Sequence, residues 1–335
     1  MRILVTGGAG YIGSVMTDVL IDVGHHIVVL DNLQRGHRDA VRPEAVFVEA
    51  DLQDRAQVVS TLKAERIDAV IHMAGDALVG ESMRNPGKYY RNNVIAGLTL
   101  LEAMEQAAVR TVVFSSTCAV YGVPEQVPIE ESTPTRPVNP YGDSKLAFER
   151  ALGWYHAAHG FRVASLRYFN AAGASERFGE RHEPETHLIP LVLDVAAGRR
   201  DKATIFGGDY PTRDGTCVRD YIHVLDLADA HILALKFLEQ GTPRNVFYNL
   251  GCGGEGHSNL EVVQCAERIT GKKIPVETGP RREGDPPTLV ASSDKARKDL
   301  GWKPKREKLE TMVGSAWTWM KSFTTEGSEA KRRNV

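Results

Sequence analysis

The chain has 335 residues, 42% of them hydrophobic, and its 41 Lys and Arg against 43 Asp and Glu leave a formal net charge of −2 at pH 7. That length buries one large core and a smaller lobe. Scattered basic residues without a stripe or aromatic interleaving argue against nucleic acid as a partner, and no apolar run approaches the ~20 residues of a membrane span.

Arg2-Ile-Leu-Val-Thr6 is apolar and β-branched, which predicts a strand; with a strand starting at residue 2, no signal peptide is expected. Residues 11–23 follow with a helix-like apolar pattern, so Gly7, Gly8, Gly10 and Gly13 fall in a strand-to-helix turn. Such a turn suits a dinucleotide: glycines let backbone approach a pyrophosphate, whose charge then sits at the positive end of the helix. His26-Ile-Val-Val-Leu30 reads as the second strand, and Asp31 ends it at about the ~20-residue distance where a carboxylate takes the adenosine ribose hydroxyls. A carboxylate there repels a 2′-phosphate, favouring NAD over NADP; read alone, Asp31 is equally a turn former before Asn32.

Further on, strands are expected at 45–49, 69–72, 111–115 and 162–166, with helices around 55–65, 90–108 and 141–159. This alternation predicts an α/β fold, a Rossmann-type doubly wound parallel sheet. Tyr141 and Lys145, spaced i, i+4, share a helix face, and an ammonium one turn away lowers the pKa of a phenol that is otherwise a poor base. An isolated Tyr-x-x-x-Lys is more often a solvated pair; the upstream glycines shift the reading toward redox chemistry at a hydroxyl-bearing carbon.

After residue 168 the pattern loosens. Glycine, proline and charge dominate 171–187 and 207–219, and short strands are expected at 203–206 and 273–277, implying a smaller α/β substrate-binding lobe. Residues 221–225 and 246–250 are expected to return as strands to the main sheet. The domain reading is therefore 1–168 for the cofactor half, rejoined by 221–250, and 169–335 mainly for the second lobe, with 326–335 a disordered tail. Cys118, Cys217, Cys252 and Cys265 are widely spaced, and no His cluster stands at metal-ligand spacing, so no metal is expected and the cysteines read as the reduced thiols of a cytoplasmic protein.

The assembled motifs resemble the UDP-glucose 4-epimerase family, extended members of the short-chain dehydrogenase/reductase superfamily, from residue 1 to about residue 320. The most specific pieces are Thr6-Gly-Gly-Ala-Gly-Tyr-Ile-Gly13, Leu30-Asp-Asn-Leu33, Val79-Gly-Glu-Ser82, Phe114-Ser-Ser-Thr-Cys-Ala-Val-Tyr-Gly122, Pro140-Tyr-Gly-Asp-Ser-Lys145, Leu166-Arg-Tyr-Phe-Asn170, Ile205-Phe-Gly-Gly-Asp-Tyr-Pro-Thr212, Val218-Arg-Asp-Tyr-Ile-His-Val224 and Pro280-Arg-Arg-Glu-Gly-Asp285. The resemblance implies NAD as a tightly held cofactor and a reaction that interconverts UDP-glucose and UDP-galactose through a transient 4-keto sugar, with the N-acetylated pair as further substrates.

By the same resemblance Tyr141 is the acid and base at the sugar 4-hydroxyl, Lys145 binds the nicotinamide ribose and Thr117 completes the triad. Gly7, Gly10, Tyr11, Ile12, Gly13, Asp31, Asn32, Asp51, Leu52, Met73, Ala74, Gly75, Asn92, Ser115 and Tyr168 are implied around the cofactor. Asn170, His187, Leu188, Phe206, Arg219, Arg282, Asp285 and Leu289 are implied around the UDP-sugar, the arginines because guanidinium groups match phosphate oxygens. The chain departs from the pattern at His187, where asparagine is commonest, at Asp143, often a lysine, and at Asp76-Ala77, where a lysine usually meets the cofactor phosphate, implying weaker retention. A homodimer using the helices around 90–108 and 141–159 is also implied. Two other readings are a nucleotide-sugar 4,6-dehydratase, disfavoured because Cys118 and Ala119 stand where its Asp-Glu pair belongs, and a non-catalytic NAD-sensing regulator on the same scaffold.

Overall fold

The computed structural model describes residues 1–282 and 285–333, with side chains through Phe323. Seven parallel strands make the main sheet: β1 (Arg2–Thr6), β2 (His26–Asp31), β3 (Val46–Glu49), β4 (Ala69–His72), β5 (Thr111–Thr117), β6 (Arg162–Tyr168) and an edge strand, Asn245–Leu250. Their order is edge strand, β6, β5, β4, β1, β2, β3. Both faces are covered, as a parallel sheet requires. Alternate residues of each strand serve opposite sides: Ile3, Val5, Ile27, Val29, Ile71 and Val113 face one core, and Leu4, Val28, Leu30, Val70, Val112 and Phe114 the other.

The chain runs from β1 outward to β3, then crosses back to lay β4 on the other side of β1. Ligands in such sheets bind beyond the carboxyl ends of the strands at that reversal. Helix α1 (Tyr11–Asp22) and helix Val224–Glu239 cover one face; helices Arg55–Ala64, Ala96–Gln106 and Pro140–His159 cover the other. The expected helix at 90–108 begins with a π-helical turn, Tyr90–Ile95.

Residues 221–225 differ from expectation. Tyr221–His223 pairs with Asn170–Ala172 in a separate two-stranded sheet, and helix begins at Val224. His223 explains the break: its side chain accepts from the Leu225 amide at 3.1 Å and caps that helix, satisfying an N–H that a strand would have needed for its ladder. A separate apolar core packs helices Leu188–Ala196, Asn259–Thr270 and Leu309–Arg333 around Val192, Leu193, Val262, Met312 and Val313. Ala203–Phe206 pairs in parallel with Val276–Gly279, a strand displaced toward the C terminus from the expected 273–277. The last helix continues to Arg333, through most of the segment expected to be a disordered tail, whose residues 334–335 lie outside the described residues.

Candidate functional site

Two glycines fix the turn after β1. Gly7 has φ +72°, and a Cβ there would lie 2.6 Å from the Ala74 nitrogen; a Cβ on Gly13 would lie 2.1 Å from the Gly7 oxygen. No side chain caps α1 at Gly10, so the first backbone N–H groups of the helix face the space beyond the sheet. At the end of β2, Asp31 accepts from the amides of Ala9 at 3.0 Å and Leu33 at 2.9 Å. Burial pushes its carboxyl up, the two amides opposing. Each oxygen keeps a lone pair for a further donor.

One cavity of about 1100 Å³ opens along these strand ends. Gly7, Gly10, Tyr11, Ile12, Gly13, Asp31 and Asn32 line one end, with Asp51, Leu52, Met73, Ala74 and Gly75; Asn92, Ser115, Thr117, Tyr141, Lys145 and Tyr168 line the middle. Asn170, His187, Leu188, Phe206, Arg219, Arg282, Asp285 and Leu289 line the other end. Every residue that the resemblance implied around the cofactor and the UDP-sugar therefore borders one space, while Gly8 and Asp143 do not.

The middle is built on β5 and helix Pro140–His159. Pro140 occupies the first turn and Asn139 caps it, accepting from the Gly142 amide at 2.8 Å, which sets the helix pitch that carries Tyr141 and Lys145. Thr117 closes β5, accepts from the Ala119 amide at 3.1 Å and hydrogen-bonds the Tyr141 phenol. The Lys145 amine donates to the Ser115 carbonyl at 3.1 Å and lies 4.9 Å from the Phe114 ring centre.

Electrostatically, the pair departs from expectation. Burial pushes Tyr141 up to about 12, with only the Thr117 hydroxyl pulling it down; Lys145 is not among the groups that depress it. Burial likewise pushes Lys145 down to about 8, against the attraction of Asp76 and Glu149. The i, i+4 spacing placed the two on one face, but desolvation is the largest influence on each.

Asp76, read in sequence only as a missing cation, is the hub of a charged chain. It lies 3.2 Å from the Lys88 amine, which also meets Glu81 at 2.8 Å, and it accepts from the Asn92 amide at 2.6 Å. Lys88 thus brings back a cation near this loop, from a helix the sequence reading had not connected with it.

At the far end Arg219 pairs with Asp285 and the Arg282 guanidinium stacks 4.1 Å from the Phe206 ring centre. The Asn170 side-chain amide donates to the Asp220 carbonyl at 2.9 Å. The Tyr168 phenol bonds the buried His231 ring, a partner invisible in sequence because it arrives from helix Val224–Glu239. Sequence reading also missed Glu180 and His182. Both line the cavity beside His187, whose Nδ1 lies 2.8 Å from carboxylates of Glu180 and Glu185. Burial works to lower His187, and the two carboxylates overcome it, raising the ring to about 10. The alternating Glu-x-His-x-x-Glu-x-His run from 180 to 187 was the available signal.

The glycine cradle, the uncapped helix terminus and Asp31 beyond it fit a dinucleotide, and the same cavity continues past Tyr141 to the Arg219 and Arg282 end, where a second ligand can sit. Among known proteins, the model of the NAD dependent epimerase/dehydratase family matches residues 3–251. A UDP-glucose 4-epimerase of Streptococcus mutans is 52% identical over 328 residues, covering 96% of this chain and 98% of its own. The solved UDP-glucose 4-epimerase of Brucella ovis in complex with NAD superposes with a TM-score of 0.91 at 47% identity, covering 95% of this chain and 97% of that one. That of Bifidobacterium longum in complex with NAD+ and UDP does so with a TM-score of 0.91 at 38% identity, covering 96% and 98%.

Proposed function

The chain belongs to the NAD dependent epimerase/dehydratase family, and from that premise we propose that it interconverts UDP-glucose and UDP-galactose through a transient 4-keto sugar. The observation that carries this reading is the single cavity joining the glycine cradle, the Thr117–Tyr141–Lys145 group and the Arg219–Arg282 end.

The glycine turn and the start of α1 would hold the pyrophosphate, Asp31 the adenosine ribose and Lys145 the nicotinamide ribose. NAD, when bound, supplies the acceptor and then the donor of the C4 hydride. The chain's own residues do the rest. Tyr141 takes the proton of the 4-hydroxyl and later returns it, with the Thr117 hydroxyl sharing the reacting oxygen. Arg219 and Arg282 hold the diphosphate while the keto sugar turns to offer its opposite face. The net redox change is zero, so one bound cofactor serves repeated turnovers. Cys118 and Ala119, both in the cavity wall, offer no acid and base for eliminating water, which leaves the dehydratase reading without its machinery.

Incubation with UDP-galactose tests this directly. UDP-glucose should accumulate to a stable mixture; a 4-keto-6-deoxy product would favour the dehydratase, and no conversion would favour the non-catalytic regulator.

Substrate breadth rests on Leu289, which lines the cavity in strand Thr288–Leu289, opposite Arg219, while part of its surface packs on the core around Val120 and Phe169. Leucine leaves room that a tyrosine ring would fill, so UDP-N-acetylglucosamine is expected to be epimerised as well. Leu289→Tyr should remove that activity and largely keep UDP-glucose turnover. Equal losses on both substrates, or no N-acetylated activity in the parent enzyme, would refute the assignment.

Residues 1–168 with 221–250 form the cofactor half in this reading, and 169–335 mainly the substrate lobe. The exposed Trp154 and Ile95, 75% and 50% accessible on or beside the helices covering one sheet face, support those helices as a homodimer face. No described helix is long and apolar enough to cross a membrane, and the four described cysteines are unpaired, in keeping with a cytoplasmic enzyme.

A further inference from the structure

Glu180, His182, Glu185 and His187 each present one ligand atom, and these four atoms lie within 4.8 Å of one another. His182 Nδ1 is 3.0 Å from the Glu180 carboxylate that also faces His187 at 2.8 Å, and Glu185 approaches His187 from the other side at 2.8 Å. The two glutamate side chains are only 11% and 12% exposed. The partners the structure gives these carboxylates are imidazoles and backbone amides, with no arginine or lysine between them. Two imidazoles and two carboxylates, both donor types that transition metals take, thus converge on one small volume.

The segment is also held in place from outside. Arg181, between two of the four residues, forks onto Asp39 at 2.6 and 3.0 Å, and the Arg181 carbonyl meets the His37 ring at 3.0 Å. The Arg35 guanidinium donates to the Glu183 carbonyl. These contacts come from the loop after β2, so the backbone between the four side chains is anchored independently of them. Anchoring of this kind lowers the ordering cost that a bound ion would otherwise meet.

We propose that Glu180, His182, Glu185 and His187 form a binding site for a divalent transition-metal ion of the zinc type, closing the segment over the mouth of the active-site cavity. Two imidazole nitrogens with two carboxylate oxygens suit zinc's tetrahedral preference, whereas Mg²⁺ and Ca²⁺ demand sets of six or more oxygens. Ligand atoms already within 4.8 Å of one another need only small shifts to reach the ~2.0–2.2 Å bonds of such a site. With four protein ligands no position remains open, so the ion's role is structural. It would tie His187 and the adjoining Leu188, which line the sugar and nucleotide end, to the loop after β2 and to Tyr11, whose ring meets the edge of His182 at 6.3 Å.

The test uses full-length, untagged protein stripped with a chelator and titrated calorimetrically with zinc chloride. One ion per chain is expected. Removing one direct ligand should weaken binding at least ~100-fold, since even outer partners of metal ligands are worth ~10–100-fold; His182→Ala and Glu185→Gln should both show this, with circular dichroism checking that each variant is folded. Cobalt(II) added to the parent protein should give a spectrum of nitrogen and oxygen ligands without a thiolate charge-transfer band, separating this site from the four cysteines. No stoichiometric zinc uptake by the parent protein, undiminished affinity in the folded variants, or a thiolate band would each overturn the proposal.

Discussion

Tyr141→Phe is expected to lower turnover of UDP-galactose by ~10²–10⁴-fold, the usual worth of a positioned acid or base, while binding of NAD and of UDP is kept. The phenol is the group that the helix after Asn139 delivers into the middle of the cavity, hydrogen-bonded to Thr117. Phenylalanine keeps the ring and its T-shaped contact with Tyr89, so the packing survives and only the proton carrier is lost. Steady-state kinetics with parallel UDP titration separates the two effects. Near-normal turnover would remove Tyr141 from the mechanism; loss of UDP affinity in step with turnover would make its role binding instead.

Glu149→Ala should cost ~3–5 kcal/mol of stability, the range for removing one partner of a buried ion pair. Glu149 and Arg167 are 2% and 5% exposed and meet at 2.7 Å, with a second contact at 3.0 Å. The network extends further: Ser116 donates to Glu149 at 2.6 Å, Arg167 donates to the Tyr121 phenol at 2.8 Å, and Tyr121 donates to Asn249 at 2.7 Å. Alanine leaves the guanidinium inside the protein without its counter-ion. Replacing both residues by methionine should recover much of the loss, because the penalty lies in the orphaned charge rather than in the absent bond. Urea unfolding decides it; a loss below ~1 kcal/mol for Glu149→Ala would mean that water or another carboxylate reaches Arg167. Since Ser116 and Thr117 are neighbours on β5, the same pair steadies the strand end that presents the Thr117 hydroxyl to the cavity.

What was legible in the sequence follows from how locally each feature is specified. Gly7 and Gly13 announce their turn because no other residue fits the space, and the strands of the sheet show as apolar runs because both their faces are covered. Strand ends were less visible: β5 and β6 run on to Thr117 and Tyr168 because neighbouring strands, not their own side chains, complete the ladders there. Residues 221–225 carried β-branched and aromatic residues, yet the His223 cap turned the chain into helix at Val224. The pairings of Asp76 with Lys88 and of Tyr168 with His231 join distant segments, and no spacing rule reaches them. The electrostatics of Tyr141 and Lys145 were hidden for another reason: spacing reports which groups are neighbours but not how dry their surroundings are.

The outermost place of strand Asn245–Leu250 has a consequence for how the molecule is made. It pairs with β6 along its whole length, from Asn245 against Val163 to Leu250 against Tyr168. A nascent chain that has just emerged through Tyr168 therefore holds every strand of the main sheet except the one that covers the β6 ladder, and the helix bearing Leu227, Ala230, Ala234 and Leu235 has yet to arrive on the sheet. Its free edge and bare apolar face are a template for wrong partners until the later segment is synthesised. The first half of this chain is thus no detachable module, and a fragment cut after Tyr168 should aggregate rather than fold.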